Sequence, residues 1–198
     1  MSFTKFLTDL ADAVRKLLNI TDKLKPSVMI EYIKSVINAD FVADNSITEY
    51  RSDRLTSLRN YAFTNCTNLT TIDLPNVINI GNRAFSNCLS LVNVNISKVR
   101  IINEYSFYYC KKIETLRFPI VYEIRGNAFD QCSQLNTLIL TYSNVVKLTS
   151  TSALSNTSIA SGNGYIYVPD ALVNGYKTAT NWTVYADQIK SINELENS

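Results

Sequence analysis

The residues best able to do chemistry in this 198-residue chain are four cysteines, Cys66, Cys88, Cys110 and Cys132. Each stands 22 residues after the one before it. Zinc draws its ligands from close pairs such as C-x-x-C, so this spacing does not fit a zinc site. The chain has no histidine. That removes the commonest base for activating a thiol or a serine, and the commonest transition-metal ligand. With five glycines in all there is no Gly-rich phosphate loop. The carboxylate pairs Asp9/Asp12 and Glu194/Glu196 lie near the termini and read as solvated faces, while Asp170 and Asp187 flank a terminal segment rather than a pocket. No catalytic residue, metal site or cofactor is expected. The thiols read instead as a column of small buried side chains, which a reducing compartment would keep unpaired even where neighbouring sulfurs come close.

The elements that carry those thiols repeat with the same step. Three residues before each Cys stands Phe63, Phe85, Phe107 or Phe129. Three after it stands Leu69, Leu91, Ile113 or Leu135, and six after it Ile72, Val94, Leu116 or Leu138. Eight after it come Leu74, Ile96, Phe118 and Leu140. So many apolar columns sharing one period mark a solenoid, in which each unit buries its face against the next. The stretch Leu91-Val92-Asn93-Val94-Asn95-Ile96 alternates apolar and polar, which is the period of a strand with one face inward. Ala84, Phe85 and Cys88 fall at helix-like spacing and suggest one or two helical turns before each Cys. Val99/Ile102 and their equivalents suggest a second short extended edge. The expected fold is therefore an α/β solenoid of 22-residue units, with an N-terminal helical pair and a C-terminal cap.

Three parts are expected. Residues 1–40 form the helical pair: Phe3, Phe6, Leu7, Leu10, Val14, Leu17 and Leu18 make one apolar stripe, and Met29, Ile30, Ile33, Val36 and Ile37 follow Pro26 as a second. Two short amphipathic helices must pack on something, so they attach, cap or self-associate. Residues 41–168 form the solenoid, opening on a degenerate unit that sets Tyr50 under Ile72 and closing on a final strand at Ile166-Tyr167-Val168. Residues 169–198 form the cap, with Asp170 as its helix N-cap. Asparagine is abundant where glycine is scarce, and it can supply left-handed turn positions.

Composition narrows the partners. Nineteen basic and 17 acidic residues leave a net charge of +2, with no basic run to hold nucleic acid. The N-terminus shows no signal peptide, and no segment is apolar for long enough to enter a membrane. The outward strand columns are Thr71, Asn93, Thr115 and Thr137, then Asp73, Asn95, Arg117 and Ile139. With Tyr167 they form the candidate binding surface, though any solvated sheet face would show the same mixed polarity. Tyr105, Tyr108 and Tyr109, with Tyr122, Tyr142 and Tyr165, are rings that could serve a sugar or pad the far side of the repeat.

The units of form N-x-A-F-x-x-C-x-x-L-x-x-I-x-L-P resemble the BspA-like leucine-rich repeats. Asn82-Arg83-Ala84-Phe85-Ser86-Asn87-Cys88, and Gly126-Asn127-Ala128-Phe129 with Cys132, carry the match. The third unit departs, with Ser106 for the Ala and Tyr109 for the Asn. The ending Ile166-Tyr167-Val168-Pro169-Asp170, with Tyr176 and Trp182, is similar to endings of such proteins in low-GC Gram-positive bacteria and their phages. Leu10-Ala11-Asp12-Ala13-Val14-Arg15 and Thr21-Asp22-Lys23-Leu24-Lys25-Pro26 resemble a short module of phage tail and other virion proteins. The resemblance implies a non-enzymatic binding or adhesion role, toward a protein or a cell-surface glycan. It implies a phage or prophage virion component, in the virion or in the cytoplasm of the producing bacterium, self-associating through its N-terminal helices. The alternatives are an intracellular protein-interaction module that binds a host or phage factor, and a structural spacer.

Overall fold

The computed structural model describes residues 46–196; the expected N-terminal helical pair lies outside them. Among the described residues ten short strands follow one another as β1 (Glu49–Arg51), β2 (Thr71–Asp73), β3 (Asn93–Asn95), β4 (Ile101–Ile102), β5 (Thr115–Phe118), β6 (Glu123–Ile124), β7 (Thr137–Leu140), β8 (Lys147–Leu148), β9 (Tyr165–Val168) and β10 (Ile189–Ser191). Helix α1 (Val173–Thr178) precedes β10, and α2 (Ile192–Glu196) follows it. Every strand pair is parallel. Tyr50 pairs with Ile72, Ile72 with Val94, and Leu116 with Leu138, each one unit apart. The short edge runs Ser57, Asn79, Ile101, Glu123, Lys147.

The segments before each cysteine are consecutive turns, not the helical turns that the Ala84/Phe85/Cys88 spacing suggests. Two residues per unit take left-handed backbone, four apart: Tyr61 and Asn65, Arg83 and Asn87, Tyr105 and Tyr109, Asn127 and Gln131. A left-handed residue stops a helix from propagating. It also turns the intervening amides toward the next unit. Phe63 N–H donates to Ala84 O at 2.7 Å, Phe85 N–H to Ser106 O at 2.8 Å and Phe107 N–H to Ala128 O at 2.8 Å. Bonds that an α-helix would keep inside itself thus run between units.

The core is the inner face of that stack. Phe63, Phe85, Phe107 and Phe129 are buried, with successive ring centroids 5.4, 5.1 and 5.8 Å apart in near-parallel stacks. Aromatic pairs at such spacing add about 0.5–1.5 kcal/mol each beyond the area they bury. The cysteines stand beside the rings, fully buried and not joined in disulfides. Cys88 Sγ–H donates to Phe63 O at 3.1 Å, Cys110 to Phe85 O at 3.0 Å and Cys132 to Phe107 O at 3.0 Å. Ser106 fits the buried Ala position because its hydroxyl donates to Asn103 O at 2.7 Å.

The period lengthens after Leu140. Ala153 takes the place of Ala128 by accepting from Phe129 N–H, and Ile166 pairs with Leu138. Thr157 follows Cys132 by the same offset, and its hydroxyl satisfies itself locally on Leu154 O at 2.7 Å. The sheet does not close on β9. β10 adds beyond it, Ile189 pairing with Ile166. Asp170 is not an N-cap: Pro169 holds that position, no side chain caps the helix, and Asp170 sits inside its first turn.

The segment 173–188 supplies side chains where a further unit would supply backbone. Trp182 Nε1–H donates to Val146 O at 2.6 Å, and Val146 N–H donates to the Tyr176 hydroxyl at 3.1 Å. Asn181 Nδ2 donates to Leu148 O at 2.8 Å and the Tyr185 hydroxyl to Thr151 O at 2.6 Å. Tyr176 and Trp182 are fully buried. Burial pushes the Tyr176 hydroxyl up to about 12, and raises that of Tyr185.

Candidate functional site: an open seam in the strand face

The larger strands form two sheets rather than one. β1-β2-β3 is the first and β5-β7-β9-β10 the second. Asn93 N–H donates to Thr70 O at 3.0 Å and Leu74 N–H to Asn95 O at 2.8 Å. One unit later the equivalent bonds would join Thr115 N–H to Val92 O and Ile96 N–H to Arg117 O, and neither forms. β3 and β5 therefore face each other with unpaired edges. The other two sides of the solenoid stay closed at this level, through Asn79, Ile101 and Glu123 and through Phe85 N–H on Ser106 O. The result is a seam in one wall, not a gap between domains.

An open groove of about 640 Å³ lies over the seam. Six expected site residues line it: Thr71, Asp73, Asn93, Asn95, Thr115 and Arg117. Thr137, Ile139 and Tyr167 lie beyond it on β7 and β9. Ile139 is not an exposed contact, being 5% accessible between Arg117 and Tyr167 in register. Two long side chains on the flanking strands cover the short one between them. Thr71 is also buried, at 9%, and its hydroxyl accepts from Asn93 Nδ2 at 3.3 Å. The sequence reading missed Arg51 and Val94, which also line the groove. Arg51 was reachable, since it stands 22 residues before Asp73. Nothing in the sequence marks Val94: its register partner Ile72 and the equivalent Leu116 are buried, whereas Val94 is half-buried.

The groove's polar groups differ in how far they are committed. Asp73 accepts from Arg51 Nη1 at 3.3 Å and from Asn95 Nδ2 at 2.8 Å. Arg51 also meets Glu49 at 3.4 Å. Across the seam Arg117 makes no ion pair and no side-chain hydrogen bond among the described residues, and Val92 is 45% exposed. Such a surface can bind by main-chain hydrogen bonds, a little apolar area and one unpaired cation.

None of the four thiols lines the groove, and all are buried. Hydrogen bonds from Cys110 and then Cys66 would favour a thiolate at Cys88, while burial pushes Cys110 well up. A Cys88 thiolate would require Cys110 to turn its Sγ–H away from Phe85 O, to which it donates at 3.0 Å. Glu123 is held below the ordinary carboxylate range by Arg125 at 2.7 Å and then Lys147 at 3.4 Å, an ion-pair cluster on the short edge. Among the described residues no group of three or more His, Cys, Asp or Glu could hold a metal, and no helix is long and apolar enough to cross a membrane. The tyrosines sit apart from the seam. Tyr105, Tyr108 and Tyr109 touch in sequence at 5.7 and 5.8 Å, with Arg83 over Tyr105 at 4.0 Å and Lys111 over Tyr109 at 4.4 Å. Tyr165 and Tyr167 lie 6.2 Å apart, with Lys190 over Tyr165 at 4.1 Å.

Residues 36–164 match the family model of the BspA type leucine rich repeat region, in six copies. The chain belongs to the BspA-type leucine-rich-repeat family. Solved structures of other proteins share the fold. A leucine rich cell surface protein from Faecalibacterium prausnitzii A2-165 superposes with a TM-score of 0.55 at 20% identity, covering 71% of this chain and 35% of that one. The pneumococcal vaccine antigen PcpA gives a TM-score of 0.52 at 12% identity, over 73% and 40% of the two chains. This BspA-type chain thus spans about a third to two-fifths of the length of those proteins. No curated relative matches it.

Proposed function

We propose that this chain is a non-enzymatic binding protein that uses the strand face, centred on the seam, to hold a protein or a cell-surface glycan. The observation that carries the reading is the groove. It gathers Asp73, Asn93, Asn95, Thr115 and Arg117 beside two unpaired strand edges in an otherwise closed solenoid. Repeat stacks use extended faces of this kind for recognition. The family's repeats, and the surface location that one relative's name records, support the same reading.

The finer proposal is a phage or prophage virion component. Residues 1–40 attach or self-associate, and residues 173–196 close the last unit with Tyr176, Asn181, Trp182 and Tyr185. Support comes from the N-terminal resemblance to tail modules. The test is pulldown of host envelope fractions by the purified full chain, beside an Asn93→Ala/Asn95→Ala/Arg117→Ala variant. Wild-type capture lost in the variant supports the reading. Equal capture by both, or none from any fraction, refutes it. A mass measurement over a concentration series tests the helices: a chain that stays strictly monomeric overturns the attachment role.

A further inference from the structure

A closed parallel sheet would leave no main-chain group for a partner on this face. The seam leaves four strand-edge groups of known register: the amides of Thr115 and Ile96, and the carbonyls of Val92 and Arg117, all unbonded across it. The inward residue Val94 is half-buried where its neighbours in register are sealed. The opening therefore reaches past the strand backbones to the edge of the core. Val92 adds apolar area at the mouth, and Arg117 adds a positive charge with no acidic partner among the described residues.

These features share one complement. Unpaired donors and acceptors on two parallel edges match another extended backbone, which can bond on both sides. A sugar could use the polar rim but gains little from Val94. Side chains of a strand alternate, so a residue pointing inward at the Val94/Leu116 level is followed or preceded by one pointing outward at the Asn95/Arg117 level. We propose that the seam between β3 and β5 takes up an extended peptide of a partner protein as an added strand, with an apolar residue inward at Val94 and an adjacent acidic residue outward beside Arg117. The inference rests on the reading of the strand face as the binding face, and names the ligand class for it.

The test is selection of a randomised linear heptapeptide library on the full chain, followed by synthesis of the enriched peptide and a copy N-methylated at its central residue. Enrichment of an apolar–acidic pair is expected. N-methylation should weaken binding at least roughly tenfold, the scale of one lost main-chain hydrogen bond. Bound peptide should slow amide exchange at Thr115 and Ile96. Val94→Trp, which fills the groove, should abolish binding. Because that variant changes an inward position, Arg117→Glu on the exposed rim is the companion, and it should switch the selected acidic residue to a basic one. Unchanged affinity on N-methylation, unchanged exchange at both amides, or an Arg117→Glu selection that still favours acidic residues overturns the proposal. So does a library with no binder. A chitin-type or teichoic-acid oligosaccharide that binds wild type and loses binding in Arg117→Glu also overturns it, while leaving the strand face as a binding face. Envelope capture that survives Asn93→Ala/Asn95→Ala/Arg117→Ala sinks the broader reading instead.

Discussion

Replacing Trp182 by Phe tests whether the segment after β9 stands in for a further unit. The indole is fully buried and its Nε1–H donates to Val146 O at 2.6 Å. Phe keeps a ring but has no donor. A buried carbonyl left unbonded costs about 1–3 kcal/mol. The smaller ring also buries two fewer carbons, at about 0.8 kcal/mol each. The loss is then about 3–5 kcal/mol, and in a chain of this size it lowers the thermal midpoint by roughly 10 °C. Trp182 is the single tryptophan, so the unfolding signal must be far-UV circular dichroism. Contacts in a solenoid are made to neighbouring units, so the damage should also be local. The amides of Lys147 and Thr149, bonded to Tyr122 O and Ile124 O, should exchange faster, whereas that of Phe63 should not. A midpoint within about 2 °C of wild type, with unchanged exchange at Lys147 and Thr149, would refute the idea that these side chains replace a missing ladder.

Other expectations follow from single groups. Tyr176 ionises at about 12 against an ordinary 10, so its contribution is complete below pH 10 and is lost as the pH climbs through 12. The loss is about 3 kcal/mol, and Tyr176→Phe should remove that part of the alkaline destabilisation in urea titrations run from pH 9 to 12. A Cβ at Gly81 would stand 2.2 Å from Asn60 N and 2.3 Å from Arg59 C, both backbone, whereas one at Gly126 meets side-chain atoms alone, Ser152 Oγ at 3.4 Å and Ser150 Cβ at 3.6 Å. Gly81→Ala should therefore destabilise by about 2–4 kcal/mol and Gly126→Ala by less than about 1 kcal/mol in denaturant melts; equal costs would mean the units can slide apart to make room. Ellman's reagent should find no reactive thiol in the native protein and four in guanidinium, because all four cysteines are buried and three of the thiols donate to Phe carbonyls. Without any ligand, the amides of Thr115 and Ile96 should exchange faster than their equivalents Asn93 and Leu74, and equal protection would mean that the seam is closed in solution.

The sequence by itself determined the stack. Phe, Cys and Leu recur at one step because each unit buries the same atoms against the next, so the inward half of β2, β3, β5 and β7 and their 22-residue register could be read from their positions, whereas the longer step from Ile124 to Leu148 and the pairing of Ile189 with Ile166 could not. Asn at left-handed positions was legible too, at Asn65, Asn87 and Asn127. What the sequence concealed depends on neighbours. Apolar spacing before each Cys fits a helix as well as a pair of turns. Only the interunit bonds of Phe63, Phe85 and Phe107 decide for turns, with Tyr61, Arg83 and Tyr105 accepting left-handed backbone to allow them. Ile139 occupies an outward column and is covered all the same, because Arg117 and Tyr167 are longer than it is. The seam is the clearest case. Leu91 to Ile96 alternates just as its neighbours do, and nothing in its residues says that β3 will fail to pair with β5. Strand pairing is a relation between two backbones, set by how the closed sides of the solenoid hold them, and a periodic pattern records only which side chains face in.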